Sequence, residues 1–195
     1  MNSLVCYRDL VQDGDFVLCR TNSPLVKECF RFIKSGRKAN IQGRDIGKGL
    51  VSTVEKLKAS DVAALIAKLG DWLANEQRKE QAKRFPSETK LDSLQDRHDC
   101  LVCFTSGLPS NAAISEVVRK IEAVFTDDKV SPGIKLSSIH KSKGLEARRV
   151  FILLGDGKRT FGPPPDKLQG WERAQESNLR YVAVTRAISE LIYVS

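Results

Sequence analysis

The chain has 195 residues and a formal net charge of +8 at pH 7. This length allows one domain with a hydrophobic core and is too short for two full domains. The basic charge favours a polyanionic partner, and an aromatic content of only 7% favours phosphate contacts over extensive base stacking. The sequence shows no secretory leader and no apolar run of membrane-spanning length, so we expect a cytoplasmic protein with no membrane partner.

The cysteines argue against both a disulfide scaffold and a metal site. Five cysteines are an odd number, and their spacing is not that of a disulfide framework. The C-x-x-C pair, Cys100 and Cys103, could suggest zinc, but a structural zinc site needs four ligands. The chain has only two histidines, His98 and His140, and His140 belongs to a different segment. We therefore expect reduced thiols and no bound metal.

The first predicted unit is a strand followed by a helix. Residues 16–20 have the pattern of a strand, and Asn22 or Ser23 can cap the helix that follows. Backbone N–H groups at such a junction point outward and can bind phosphate. Arg20, Thr21 and Asn22 are therefore candidate anion contacts, although Asn22 and Ser23 can equally be ordinary caps.

A glycine-rich stretch over residues 43–50 does not form a phosphate-binding P-loop. That motif needs four residues between its first glycine and the Gly-Lys pair, followed by Ser or Thr. Here three residues separate Gly43 from Gly47, and Gly49 follows Lys48. The sequence GDGK at 155–158 also lacks the upstream glycine and the hydroxyl residue. The chain therefore contains no recognisable P-loop.

From residue 50 to residue 130 the pattern changes to apolar residues at helical spacing. Ser60 and Ser110 are the expected caps of two of these helices, and Pro86 with Ser87 is the expected start of another. We therefore predict a compact, all-helical insertion over 50–130.

Residues 134–154 are predicted to form a strand, a polar loop and a second strand. The apolar runs at 134–139 and 150–154 are typical of parallel strands that are covered on both faces. Ligands of such sheets bind at the carboxyl ends of the strands, so we expect chemistry in the loop after the first strand. The alternative is a solvated turn whose lysines face water. The loop contains Ser138, His140, Lys141, Ser142, Lys143, Gly144 and Glu146.

The chain ends with a Gly- and Pro-rich loop over 155–170, a helix, and a strand over 191–194. Leu179, Val182 and Ala183 form the apolar stripe of this helix, and Arg186 follows at its far end. An arginine there offers a permanent charge and a planar fork that suits phosphate. Together the elements predict an α/β fold, with a parallel sheet and helices on both faces.

Three segments resemble those of UvrD/Rep-like superfamily 1 DNA helicases. SSIHKSKGLEARRVFIL at 137–153 resembles motif V, and NLRYVAVTRAISELIYV at 178–194 resembles motif VI. VLCRTNSP at 17–24 resembles, less specifically, the LYRTNA segment of the second motor domain. The resemblance implies that residues 1–195 form one RecA-like domain, the second motor domain of a helicase. The helical segment 50–130 then stands where the family has a large accessory domain.

The resemblance also implies a composite ATP site. Arg186 is expected to reach the γ-phosphate as an arginine finger, Glu146 to bind the nucleotide sugar, and Gly144 to allow close backbone approach. Lys143 could face either the nucleotide or the DNA. The cofactor implied is ATP with Mg²⁺, and the magnesium is expected on an N-terminal P-loop motor domain that this sequence lacks.

The remaining implied contacts are to single-stranded DNA. This sequence departs from the family after KGLE, where Ala147 and Arg148 replace Phe and an apolar or Pro residue, and at Ser138, where Thr is usual. These departures leave the path of the DNA open. The residues expected to face the strand are Arg20, Thr21, Asn22, Ser138, His140 and Lys141.

Two functions of different classes agree with these patterns. The first is the C-terminal motor domain of an ATP-dependent DNA helicase or translocase, inactive as an ATPase by itself. The second is a stand-alone RecA-like module that binds nucleic acid or protein without catalysis. A complete NTPase is disfavoured because the P-loop is missing.

Overall fold

A computed structural model describes residues 6–126, 133–154 and 168–194. The helices are α1 (Tyr7–Leu10), α2 (Ser23–Lys34), α3 (Arg44–Leu57), α4 (Val62–Gln81), α5 (Glu88–Thr105), α6 (Ile114–Val124) and α7 (Gly170–Val184). The strands are β1 (Phe16–Cys19), β2 (Ala39–Gln42), β3 (Phe125–Thr126), β4 (Ile134–Ser138), β5 (Ala147–Leu153) and β6 (Ala187–Val194). Most of the predicted Gly- and Pro-rich loop, residues 155–167, lies outside the described part.

The strands form one sheet in the order β3-β2-β4-β1-β5-β6, and every pair is parallel. The central strand β1 pairs with β4 on one side and with β5 on the other. This confirms the predicted α/β class with a parallel sheet. It also places β4 and β5, which are consecutive in the chain, on opposite sides of β1.

The two faces of the sheet belong to two separate apolar clusters. Val17 and Cys19 of β1 point into a large cluster that includes the inner sides of α2, α4, α5 and α6. Phe16 and Leu18 point the opposite way, into a smaller cluster that includes residues of α7. Helices therefore cover both faces, as near-continuous apolar strands require.

The helices α3 to α6 share the large cluster with the sheet. The helix α5 starts where it was predicted to start, and Ser87 is its N-cap, whose hydroxyl accepts a hydrogen bond from the Lys90 backbone N–H at 3.2 Å. The prediction that Ser60 caps the next helix is wrong, because Asp61 is the N-cap of α4 and accepts from Ala64 N at 2.8 Å. The prediction for Ser110 is also wrong, since α6 begins at Ile114.

Two short strands were not predicted. The strand β2 has the sequence ANIQ, in which only Ile41 is a large apolar residue, and β3 has only two residues. The last strand is longer than expected, since it begins at Ala187 and not at Leu191.

All five cysteines are free. In residues 6–126, 133–154 and 168–194, no group of three His, Cys, Asp or Glu side chains is arranged to hold a metal ion. Over the same ranges, no helix is both long enough and apolar enough to cross a membrane.

Candidate functional site

The loop predicted to carry the chemistry, residues 139–146, is a crossover segment. It runs from the edge formed by the carboxyl ends of the strands, the carboxyl edge, to the edge formed by their amino ends, the amino edge. It leaves the carboxyl end of β4 and reaches the amino end of β5, and both strands are parallel to β1, which lies between them. Its first half is a compact turn, in which Ser142 N donates to Ser138 O at 3.0 Å. Ile139 and Ser142 are fully buried and fix the segment against the sheet.

The end of the crossover segment meets Arg186 at the amino-terminal edge of the sheet. Glu146 and Arg186 immediately precede β5 and β6, whose first residues lie side by side. The Ala147 N–H donates to the Arg186 carbonyl at 3.0 Å. The expectation that the ligand groups of this loop lie at the carboxyl ends is therefore wrong for Gly144 and Glu146, because the loop crosses the sheet.

The Arg186 guanidinium is held by three neutral oxygens. Its Nε donates to Val182 O at 2.9 Å, one Nη to Leu145 O at 3.0 Å, and the other Nη to Thr185 Oγ1 at 3.0 Å. No carboxylate of the described ranges forms an ion pair with it. Because a guanidinium has five N–H donors, two remain for a ligand after these three bonds. The side chain is thus oriented while its charge stays available.

The other predicted nucleotide contacts lie close by and are exposed. Gly144 has a φ of +81°, a left-handed conformation that favours glycine, and a Cβ there would meet no atom within 4 Å. Lys143 and Glu146 are exposed on either side of it. The structure therefore brings Gly144, Glu146 and Arg186 to one rim.

The predicted DNA contacts lie at the opposite, carboxyl edge, and Arg20 is already paired there. Its Nε donates to both carboxylate oxygens of Glu176, at 3.0 and 2.9 Å, and its Nη2 donates to Oε1 at 2.6 Å. Both side chains are largely buried. Burial alone would lower the pKa of Arg20. The hydrogen bonds and the charge of Glu176 raise it by more, so the pKa of Arg20 lies above its ordinary value.

The start of α2 is bound by a carboxylate from a distant helix. Asn22 N and Asn22 Nδ2 donate to Asp96 Oδ2 at 2.9 and 3.1 Å, and Ser23 N donates to Asp96 Oδ1 at 2.7 Å. Asn22 is the N-cap by position, but its side chain caps no N–H of the helix, so the expected local cap is wrong. Burial raises the pKa of the Cys19 thiol, and the neighbouring Thr21 opposes this rise.

The start of the crossover segment completes this edge. Lys141 Nζ forms an ion pair with Asp45 at 2.7 Å, and both side chains are well exposed. Partial burial lowers the pKa of His140, the nearby Arg20 charge lowers it further, and Glu176 acts in the opposite direction. Ser138 is only 4% exposed, so the structure does not bring its side chain to the surface.

Sequence reasoning missed the acids of this edge. Glu176, Asp96 and Asp45 each bind a group that was predicted to contact DNA. One signal was available for Glu176, because Glu172, Glu176, Leu179 and Ala183 recur at helical spacing on the buried side of α7. An acid on an apolar stripe needs a buried partner. No such signal existed for Asp96.

Comparison with known proteins agrees with the motifs. A family model described as the UvrD-like helicase C-terminal domain matches residues 27–195, which include the crossover segment and α7 but not Arg20, Thr21 or Asn22. No curated protein matches the chain. The resemblance inferred from the two motifs is confirmed, and the chain belongs to the family of UvrD-like helicase C-terminal domains.

Proposed function

We propose that this chain is the C-terminal motor domain of an ATP-dependent DNA helicase or translocase, and that it acts with an N-terminal P-loop motor domain. In this proposal, the amino edge of the sheet forms one wall of an ATP cleft, and the carboxyl edge contacts single-stranded DNA. The observation that carries it is the Arg186 guanidinium, which is oriented by neutral oxygens beside the crossover segment.

The chemistry at the amino edge follows from the geometry of Arg186. Bound ATP, with Mg²⁺ on the partner domain, supplies the phosphate chain that is cleaved and the charge that develops on it. Two guanidinium N–H groups can donate to that charge in fixed directions, with little reorganisation, because Val182, Leu145 and Thr185 already hold the side chain. Such an arginine finger can raise kcat by about 10³ to 10⁵.

Two neighbours of Arg186 support nucleotide binding. Gly144 leaves open space where a side chain would stand, so that a ligand can approach the backbone. Glu146 is exposed beside it, and its carboxylate can accept hydrogen bonds from the hydroxyls of a sugar. Lys143 is exposed in the same turn and fits either ligand.

The carboxyl edge would bind the sugar-phosphate backbone of single-stranded DNA. His140 and Lys141 offer exposed donors at the start of the crossover segment. Arg20 and Asn22 lie beside them at the end of β1, and Thr21 lies between these two. A protonated His140 or a Lys141 released from Asp45 would each contribute a positive charge to a phosphate contact.

Two elements connect the proposed sites. The crossover segment has His140 near one edge and Glu146 at the other. Helix α7 binds Arg20 through Glu176 and ends at Val184, two residues before Arg186. The end of the helix lies about 12 Å beyond Glu176 along the helix axis. A change in how the partner domain packs against one edge can therefore move groups at the other edge. Nucleotide binding and DNA binding would be coupled in this way.

The test is Arg186→Ala in the helicase that contains this domain. We expect kcat for DNA-stimulated ATP hydrolysis to fall by about 10³ or more, while the Kd for nucleotide stays within about threefold. Stopped-flow turnover and fluorescent-nucleotide binding measure the two quantities. Ordinary turnover in the variant would refute the finger.

Arg186→Lys is the matched control, because lysine keeps the charge and loses the planar fork. A loss of rate in both variants indicates that the fork geometry is needed, and a loss only in the alanine variant indicates charge alone. If the natural protein has no P-loop partner and no ATPase activity, the stand-alone binding module becomes the better reading.

A further inference from the structure

A groove with a volume of about 420 Å³ lies between α3, α6 and the strand β3. The strand β3 is the outermost strand on one side of the sheet, and β6 is the outermost strand on the other. The groove is therefore separate from the rim that contains Arg186. Its volume is within the range of protein pockets that bind ligands, about 300 to 1,000 Å³.

One side of α3 forms a wall of this groove. Arg44, Lys48, Val51 and Glu55 recur at intervals of three and four residues and thus lie on the same side of the helix. Phe125 of β3, which is only 3% exposed, adds a second apolar side chain to the lining. The wall therefore has cations at its start, an apolar part in the middle and an acid at its end.

The charges on this wall are ordered against the dipole of α3. Arg44 is in the first turn and Glu55 is in the last, where a helix disfavours a cation and an anion respectively. Asp45 and Lys56 belong to the same two turns, lie outside the groove and have the favourable signs. Helix stability therefore explains the charges outside the groove and leaves those within it unexplained.

The charges of the groove are open to a ligand. In the part of the chain that the structure describes, Lys48, Glu55 and Glu122 take part in no ion pair, and all three are exposed. Glu122 belongs to α6 and is a second acid of the lining. Two acids in the groove would repel a nucleic-acid strand, whereas a segment with charges of both signs can satisfy the acids and the cations.

We propose that this groove binds an extended segment of a partner protein, in which an acidic, an apolar and a basic side chain alternate along one face. The first and fifth residues of such a segment are about 13 Å apart. Along the axis of α3, Lys48 and Arg44 lie about 10 and about 16 Å from Glu55. The acid of the segment can thus reach the cations while its base reaches Glu55. The apolar side chain then lies over Val51 and Phe125.

The test is an NMR titration of the ¹⁵N-labelled chain with the peptide Ac-Asp-Ala-Leu-Ala-Lys-NH₂. We expect saturable shifts of the backbone amide signals of Val51, Ser52 and Ala123, which line the groove. The control peptide Ac-Asn-Ala-Leu-Ala-Gln-NH₂ has nearly the same shape and no charge. It should bind about fivefold more weakly, because two ion pairs with exposed groups are lost.

A pair of variants tests the charges of the protein. Lys48→Glu should weaken binding of the charged peptide by about tenfold, because it replaces an attraction by a repulsion. Lys56→Glu is the matched control, since Lys56 is exposed on the same helix, lies outside the groove and undergoes the same change of charge. It should change the affinity by about twofold at most, through screened long-range charge.

The proposal is overturned if neither peptide produces saturable shifts at the groove, if both peptides bind equally well, or if the two variants lose affinity equally. It is also overturned if single-stranded oligothymidylate shifts the same amide signals and displaces the peptide, because the groove would then be a nucleic-acid site. The assay of Arg186→Ala does not depend on any of these results, so the proposed function is tested separately.

Discussion

Arg20 follows strand β1 and Arg186 precedes strand β6 of the same sheet, and their acceptors differ in charge. Arg20 donates three hydrogen bonds to one carboxylate, Glu176, and is largely buried with it. Arg186 donates to two backbone carbonyls and one hydroxyl. A guanidinium with neutral acceptors keeps its charge for a ligand, whereas one paired with a carboxylate is already neutralised. At neutral pH, Arg20 therefore holds Glu176 of α7 at the carboxyl edge more than it attracts a phosphate.

The first prediction concerns the acid that binds Arg20. Glu176→Gln leaves a largely buried guanidinium without an opposite charge, and breaking such a pair from one side typically costs about 3 kcal/mol. We expect the free energy of unfolding to fall by about this amount. Chemical denaturation monitored by circular dichroism measures it.

Glu190→Gln is the control for this prediction. Glu190 is exposed, and its contact with Arg149 is 4.0 Å, so that the loss of its charge should change stability by less than about 0.5 kcal/mol. If both variants have the same stability, the Arg20 pair is not a structural ion pair.

At this scale the sequence predicted the candidate cations better than their partners. Arg186, His140 and Lys141 were identified from motif and residue type. The partners Glu176 and Asp96 were not, because they lie 156 and 74 residues away from Arg20 and Asn22 in the chain. Pairings at such separations depend on the folded topology and leave no local pattern.

The strands show which elements a pattern can predict. The strand β5 was expected from the apolar run that begins at Val150, which is buried, but the strand starts three residues earlier, at Ala147, and includes two arginines. The strand β2 was not, because Asn40 and Gln42 alternate with Ile41, which alone gives too weak a period-2 signal in four residues. The helix α3 begins just after β2, so the helical region starts before residue 50.

A second prediction uses two glycines of α3 that stand two residues apart. Replacing Gly49 by Ala removes a helix-destabilising residue at a place with no atom within 4 Å of the new Cβ. We expect the free energy of unfolding to rise by about 0.5 to 1 kcal/mol. The same change at Gly47 places a Cβ 2.8 Å from Phe125 Cβ.

The Gly47→Ala variant should therefore lose stability, by about 1 kcal/mol or more, because overpacking outweighs the gain in helix propensity. Denaturant titrations of the two variants, run side by side, measure the difference. Equal stabilisation by both changes would show that α3 and β3 do not pack as closely as described.

On the scale of the whole molecule, the site consists of two edges joined by two elements. The groups proposed to bind nucleotide lie at the amino edge, and those proposed to bind DNA lie at the carboxyl edge. The crossover segment and α7 both extend from one edge to the other. A net charge of +8 favours association with a polyanion in general but does not select an edge.

The family and the parallel sheet were predictable from the sequence. The separation of the proposed nucleotide contacts and the proposed DNA contacts onto opposite edges of the sheet was not. Motif spacing places Gly144 and Arg186 in one family pattern, and their proximity followed from it. Their position at the amino edge depends on strand order, because β4 and β5 flank β1 and the loop between them must cross the sheet. Strand order cannot be read from the loop itself.

The most direct test of this two-edge arrangement is an NMR titration of the ¹⁵N-labelled domain with single-stranded oligothymidylate. We predict that the backbone amide signals of Thr21, Asn22, Ser23, His140 and Lys141 shift, that those of Leu145, Ala147 and Arg186 shift much less, and that added salt reverses the change. Shifts that cluster at the amino edge, or that persist unchanged at high salt, would contradict the account.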